Sequence, residues 1–275
     1  MSAKDREELI RIAQALPRGV WYPGDDAFVF SLSVRDPLIY ADEDVVVLTE
    51  RLPDGGGMLH WKGRGVDGFS KGVRAILGPL QRSGLESVIV RAVREAGEDW
   101  RDYYTAISDL GFSVRYVFLD YRMNPLIRKV PDLAGIRMAT AEDARTLEGI
   151  SAKELGEWAR QTEDEFLSLL ADGKALVLCK ENSGQLAGFI TVRLTGEKPY
   201  TLFVRSLAVS RNFRGRGWGR QLTEAALDWA AHNGAGSSTL WVERFNQEAI
   251  CLYRSLGFRP SGKEEAHFIV SLVPG

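Results

Sequence analysis

The sequence predicts an α/β protein of two similar halves, 1–130 and 131–275. Three observations carry this. At 275 residues the chain is longer than one typical domain and long enough for two cores. Short apolar, β-branched runs alternate throughout with longer runs of helical period. The order helix, strands, helix, strand, helix, strand also recurs, with Leu110-Gly111-Phe112 and Leu256-Gly257-Phe258 as anchors.

Composition excludes several classes. Hydrophobic residues make up 45% and charged ones 26%, ordinary for a folded globular chain. With a formal net charge of −2, no overall field gathers nucleic acid or anionic membrane, and neither is expected as a partner. Cys179 and Cys251 lack paired spacing, so neither a disulfide framework nor a metal site is expected, and both read as small buried residues. The opening MSAKDREELIRIAQAL is a charged helical pattern rather than a signal peptide, and no apolar run approaches a membrane span. The expected location is cytoplasmic.

In the first half, Asp5–Leu16 reads as an amphipathic helix stopped by Pro17, and Trp21–Asp25 as a turn. Strands are expected at Ala27–Val34 and Asp44–Glu50, and Pro53–Gly57 makes a hairpin into Met58–Lys62. Gly63–Gly72 reads as a glycine-rich loop. A helix over Ser70–Arg82, a strand over Ser87–Val93, a helix over Trp100–Leu110 closed by Gly111, and a strand over Val114–Met123 complete this half.

Asn124-Pro125 and Pro131-Asp132 interrupt regular structure, which places the boundary near 130. Gly135–Ala139 opens the second half as a strand. Thr140 with Asp143, and Thr162 with Glu165, are N-cap pairs for helices to about Leu155 and to Leu170. Ala175–Glu181, Leu186–Thr195 and Tyr200–Val209 are strands, with Asn182-Ser183-Gly184 as a turn. A helix over Gly217–His232, a strand over Ser238–Glu243, a helix over Gln247–Leu256 and a strand over His267–Leu272 end the chain.

The stretch FVRSLAVSRNFRGRGWG, Phe203–Gly219, joins a strand to a helix through a basic glycine loop. Gly215, Gly217 and Gly219 let successive backbone N–H groups turn toward one anion at the helix N-terminus, with Arg211, Arg214, Arg216 and Arg220 around it. A Walker loop would need a Gly-Lys-Ser/Thr ending, which is absent. A dinucleotide fingerprint fails because Arg220 stands where its third glycine belongs.

Arg214-x-x-Gly217-x-Gly219 after Leu207-Ala208-Val209 resembles the acyl-CoA signature of the GNAT acetyltransferases. Asn246-x-x-Ala249-x-x-Leu252-Tyr253-x-x-x-Gly257-Phe258 is similar to a second motif of that family, in the expected order. The resemblance implies two GNAT-like domains, each a mixed, mostly antiparallel sheet flanked by helices. It implies an acetyl-CoA-dependent transfer to a primary amine of a small molecule or a protein, by direct attack in a ternary complex. Backbone groups of Leu207, Ala208 and Val209 would hold the acyl and pantetheine end. The loop Arg214, Gly215, Arg216, Gly217, Trp218 and Gly219 would hold the pyrophosphate, and Asn246 would bond the cofactor or cap its own helix. Tyr253 would protonate or hydrogen-bond the leaving thiolate, unless it only packs its helix.

Many members carry a base on the strand before the loop, where this chain offers only Arg205 and Ser206. Glu243 is the candidate base, with Glu157 behind it. The offset between Gly111 and Gly257 pairs Ile107 with Tyr253 and Trp100 with Asn246, so the first half reads as a GNAT-like domain without the chemistry. A non-catalytic acyl-CoA-binding regulatory or scaffold protein is the rival reading, and a homodimer is left open.

Overall fold

The structure is a computed structural model. It describes residues 3–16, 39–52, 55–94, 96–97, 99, 101–128 and 130–272. The expected turn at Trp21–Asp25 and strand at Ala27–Val34 lie outside the described residues, as do Pro17, Pro53, Asp54 and Trp100. Contacts divide the chain into two compact units, 1–119 with 262–275, and 120–261.

The first unit holds α1 (Ala3–Ala15), β1 (Ile39–Ala41), β2 (Val45–Arg51), β3 (Gly57–Gly63), α2 (Gly65–Gln81), β4 (Ser87–Arg94), α3 (Arg101–Asp109) and most of β5 (Ser113–Met123). It also takes Gly262 onward from β11 (Arg259–Ser271). The sequence reading puts this last strand in the second half, but Glu264–Ser271 pairs antiparallel with Arg94–Ser87 of β4. Its apolar side chains are the reason: Ala266 and Phe268 are buried in the same core as Val88, Val90 and Ala92 of β4.

Strand β2 shows how the sequence sets two layers. Val45 and Val47 join the α2-side core with Trp61 and Phe69, whose rings stand 4.6 Å apart. Val46 and Leu48 point to the other face, against Ala13 and Leu16. β3 runs parallel to β4 only over Gly57–Leu59.

One expectation fails here. The glycine-rich run Gly63–Gly72 is not a loop, because α2 begins at Gly65. Gly68 and Gly72 are four residues apart and so share one helix face. A Cβ at Gly72 would lie 2.6 Å from Val47 Cγ2, and one at Gly68 would lie 3.0 Å from the Asp44 carbonyl oxygen. These glycines admit the helix close to β2.

The second unit holds β6 (Ile136–Met138), α4 (Ala144–Glu154), α5 (Glu163–Ala171), β7 (Ala175–Asn182), β8 (Gln185–Thr195), β9 (Tyr200–Val209), α6 (Trp218–His232), β10 (Ala235–Glu243) and α7 (Gln247–Leu256). Its sheet runs β10-β9-β8-β7-β6, antiparallel except for the β10–β9 pair. Ser183 (φ 51°) and Gly184 (φ 77°) make the two-residue β7–β8 hairpin, whose twist requires positive φ at both positions. Both N-cap pairs form: Asp143 Oδ2 accepts the Thr140 N–H at 2.8 Å, and Glu165 Oε2 accepts that of Thr162 at 2.9 Å. The Arg137 guanidinium beside Asp143 holds its carboxyl down at about 2. Among the described residues, no helix is long and apolar enough to cross a membrane.

Candidate active site

The site starts from a strand that loses one neighbour. β9 pairs with β10 from Tyr200–Ala235 to Val204–Leu240 and no further, while on its other edge it stays paired with β8 to Val209. Arg205 is an extra residue in that ladder, between Val204 opposite Val192 and Ser206 opposite Thr191. Beyond this bulge, Ala208 packs with Phe166 and Phe189 on the α4–α5 side. Leu207 and Val209 turn the other way, toward Gly219 of α6. The backbone edge of Arg205–Val209 facing β10 therefore has no strand ladder to satisfy it.

A cleft of about 540 Å³ opens there. Leu207, Ala208, Val209, Arg214, Gly215, Gly217, Trp218, Gly219 and Asn246 all line it, so the structure brings most of the expected cofactor residues together. Gly217 caps α6 at φ 78° and Gly215 has φ 76°. A Cβ at either position would meet nothing, so backbone conformation rather than space demands glycine. The first N–H groups of α6 have no partner inside the helix and carry its positive dipole end.

Arg214 does not simply project into this space. Its Nε donates to Val209 O at 3.1 Å and its Nη2 to Glu154 Oε2 at 2.7 Å, while Glu154 Oε1 accepts the Arg211 N–H at 3.0 Å. Glu154, at the end of α4, thus ties the loop to the strand before it. The sequence reading missed this residue, because nothing local relates positions so far apart along the chain. Arg220 pairs with Glu224 at 3.2 Å.

The α7 residues divide. Asn246 Oδ1 accepts the Ala249 N–H at 3.1 Å, so the capping role is present at the cleft wall. Tyr253 is buried against Phe258, and burial pushes its phenol well above the ordinary value. It is not among the cleft-lining residues, although Leu252 and Ser255 are. Glu243 is turned to its own chain, where Oε2 accepts the Phe245 N–H at 2.8 Å, and it does not line the cleft. Glu157 does not line it either. Cys251, expected to be buried, is exposed on the cleft wall. Cys179 is buried, and desolvation pushes its thiol up to about 11.

Beside Leu207, and also unforeseen, lies a buried polar trio. Thr191 Oγ1 is 2.6 Å from Ser206 Oγ and donates to Gln161 Oε1 at 3.0 Å, and Ser206 also donates to Gln161. The Gln161 N–H reaches Ser151 Oγ at 2.8 Å, which pins the α4–α5 connection to the bulge.

Comparison with known proteins finds a matching family and relatives. The model of the acetyltransferase (GNAT) family matches residues 141–258. A mycothiol acetyltransferase of Clavibacter sepedonicus is 30% identical over 139 residues, 48% of this chain and 45% of that protein. The match thus spans less than half of that relative. A streptothricin acetyltransferase of Streptomyces lavendulae is 30% identical over 156 residues, 57% of this chain and 67% of that protein. The solved tandem GNAT protein from the clavulanic acid biosynthesis pathway shares the fold, with a TM-score of 0.67 at 16% identity over 100% of this chain and 98% of that one. On the shared motif region, the relative covered over two thirds of its length, and the fold, the chain belongs to the GNAT acetyltransferase family.

Proposed function

We propose that the chain transfers an acetyl group from acetyl-CoA to a primary amine, with both held in one complex. The observation that carries this is the convergence, in a single cleft, of the unladdered β9 edge at Leu207–Val209 with the open α6 N-terminus at Gly217–Gly219. The first offers backbone groups along an extended chain, and the second offers N–H donors and a positive dipole to a pyrophosphate. These donor sets fit acetyl-CoA, which supplies an activated thioester when bound. Gly215–Gly219 would hold the phosphates, Leu207–Val209 the pantetheine and acyl end, and Asn246 would border it.

Holding amine and thioester together contributes much of any rate, because encounter and orientation are settled on binding. Burial raises the Tyr253 phenol above its ordinary value and so favours its protonated form. A raised phenol gives its proton to a thiolate less readily than an ordinary one, which favours donation of a hydrogen bond over full transfer. With Glu243 bound to its own turn, we read the acceptor as entering in its neutral form or losing its proton to water.

A second reading has its own support. The cleft-lining carboxylates are Glu154, committed to Arg211 and Arg214, and Glu248, and Tyr253 does not line the cleft. A non-catalytic acyl-CoA sensor or scaffold needs no base. Thiol release from acetyl-CoA, followed against a panel of amines, separates the two. Amine-dependent release is expected; tight binding without it would favour the sensor, and no binding of any acyl-CoA would remove both.

A further inference from the structure

The bulge on β9 is gripped twice from one short stretch of chain. Arg205, the extra residue, donates from Nη2 to Glu165 Oε1 at 2.6 Å, and Ser206 beside it donates to Gln161. Glu165 lies in the first turn of α5, and Gln161 directly precedes its cap, Thr162. Gln161 is itself anchored, because its backbone N–H donates to Ser151 Oγ of α4 at 2.8 Å. The two grips differ in their surroundings. The Arg205 and Glu165 side chains are 42% and 40% exposed, whereas Gln161, Thr191 and Ser206 are 2%, 0% and 6% exposed. An exposed ion pair holds weakly, and a dry hydrogen bond holds well.

A count of hydrogens shows that the buried grip is not arranged for stability. Gln161 Oε1, Thr191 Oγ1 and Ser206 Oγ meet in a triangle, and two hydroxyls bring only two hydrogens to its three edges. Thr191 and Ser206 each donate to the Gln161 carbonyl, so the 2.6 Å edge between the hydroxyls holds none. Gln161 Nε2 is buried and finds no partner among the described residues. An unpaired buried donor costs about 1–3 kcal/mol, and such exceptions to good packing collect where function needs a fixed geometry.

We propose that Gln161 is a positioning residue for acetyl transfer, acting through Ser206. Ser206 directly precedes Leu207–Val209, the backbone edge read above as the seat of the acyl and pantetheine end. Neither Gln161 nor Ser206 lines the cleft. Holding Ser206 from behind fixes where the Leu207 backbone stands. The glycine loop read as the phosphate site is tied separately, through Glu154. Gln161 therefore governs the geometry of the reaction rather than affinity for the donor. The inference rests on the acetyl-transfer reading and adds to it a residue outside the cleft.

Steady-state kinetics of amine-dependent thiol release from acetyl-CoA test it, with acetyl-CoA affinity by calorimetry and thermal melting on the same whole-chain preparations. Gln161→Leu removes the carbonyl but lets the two hydroxyls bond to each other, so the chain should fold. Its kcat should fall about tenfold, as a displacement of a fraction of an ångström costs at a reacting centre, with acetyl-CoA affinity unchanged. Ser206→Ala breaks the same bond from its other end and should lose as much, and the double variant no more than either single one. Should Gln161→Leu fail to fold, Ser206→Ala carries the same test. Thr191→Val leaves the Ser206–Gln161 bond whole, and Glu165→Gln touches only the exposed pair, so both should stay within about twofold of wild type. A purely structural role would lower melting temperature, affinity and kcat together, in Thr191→Val as in Gln161→Leu. That pattern, an unchanged kcat in Gln161→Leu and Ser206→Ala, or additive losses in the double variant would overturn the inference and leave acetyl transfer standing. If wild type binds acetyl-CoA without amine-dependent thiol release, acetyl transfer falls and the inference with it.

Discussion

The β3–α2 junction and the β9–α6 junction begin with the same hydrogen bond and then part. Arg64 N–H donates to Asp44 O at 2.8 Å in the first unit, as Ser210 N–H donates to Ala187 O at 2.8 Å in the second. After that bond the first unit enters its helix at Gly65, whereas the second runs through Ser210–Gly217 before α6 begins at Trp218. The first unit's helix start is filled from inside. Asp44 O lies against Gly68, Lys71 Nζ is 2.7 Å from Asp42 and 3.6 Å from Asp44, and Asp67 stands in the first turn of α2. The first turn of α6 holds no acid. The two helix starts thus differ in whether acidic groups of the chain itself stand beside the first N–H groups.

The second helices repeat the lesson. α3 and α7 both end with a left-handed glycine, and Phe112 N–H returns to Ile107 O as Phe258 N–H returns to Tyr253 O. Ile107 and Tyr253 hold equivalent buried positions, and only the tyrosine carries a proton. At these two positions the first unit thus lacks the groups that the second unit carries.

The contrast can be broken most sharply at that pair. Tyr253→Phe is expected to lower kcat by about a hundredfold, within the usual range for a lost hydrogen-bond donor to developing charge, with acetyl-CoA affinity unchanged by calorimetry. Unchanged turnover would leave Tyr253 as inert as Ile107. The glycines come next. Gly72→Val should destabilise by about 3 kcal/mol in chemical denaturation, because its Cβ meets Val47 in a packed layer. Gly217→Ala should cost only about 1 kcal/mol, since the left-handed backbone is its sole penalty. Equal costs would deny that the two glycines serve different ends.

The cysteines offer a smaller test. Alkylation should modify Cys251 well before Cys179, whose thiol is buried and raised to about 11, and acetyl-CoA should slow it by covering the cleft. No protection would place the cofactor elsewhere.

The smallest effect is a similarity between the units. Asp42 is held at about 2 because hydrogen bonds from Lys71, Tyr40 and two backbone N–H groups outweigh its burial, and Asp143 is held at about 2 chiefly by Arg137. Both folded values are depressed, so each contribution is complete above about pH 4, the ordinary carboxyl value, and fades as pH falls toward 2. Lys71→Ala and Arg137→Ala should each shrink the stability lost across that window in an acid titration. A mutant losing as much as wild type would remove the pair from acid stability.

Much was legible in residue order. Tyr200–Val209 and Gln247–Leu256 are a strand and a helix with the expected bounds, because alternation and an Asn cap are local signals. The Gly63–Gly72 run was misread because glycine signals both a bend and a close approach, and only the facing β2 valines tell them apart. That Glu243 Oε2 accepts the Phe245 N–H depends on how the turn closes, which residue order does not display.

By itself the sequence determined the spacing of the glycines after β9, the helix caps and stops, and the isoleucine at 107 set against the tyrosine at 253. These depend on neighbours a few residues away, whose chemistry the chain order displays. Tertiary structure alone decided that Glu154 ties Arg214, that β9 sheds β10 after Val204, and that the last strand completes the first unit's sheet. Each of these is a choice among distant partners, made by burial and hydrogen bonding that exist only once the chain has folded.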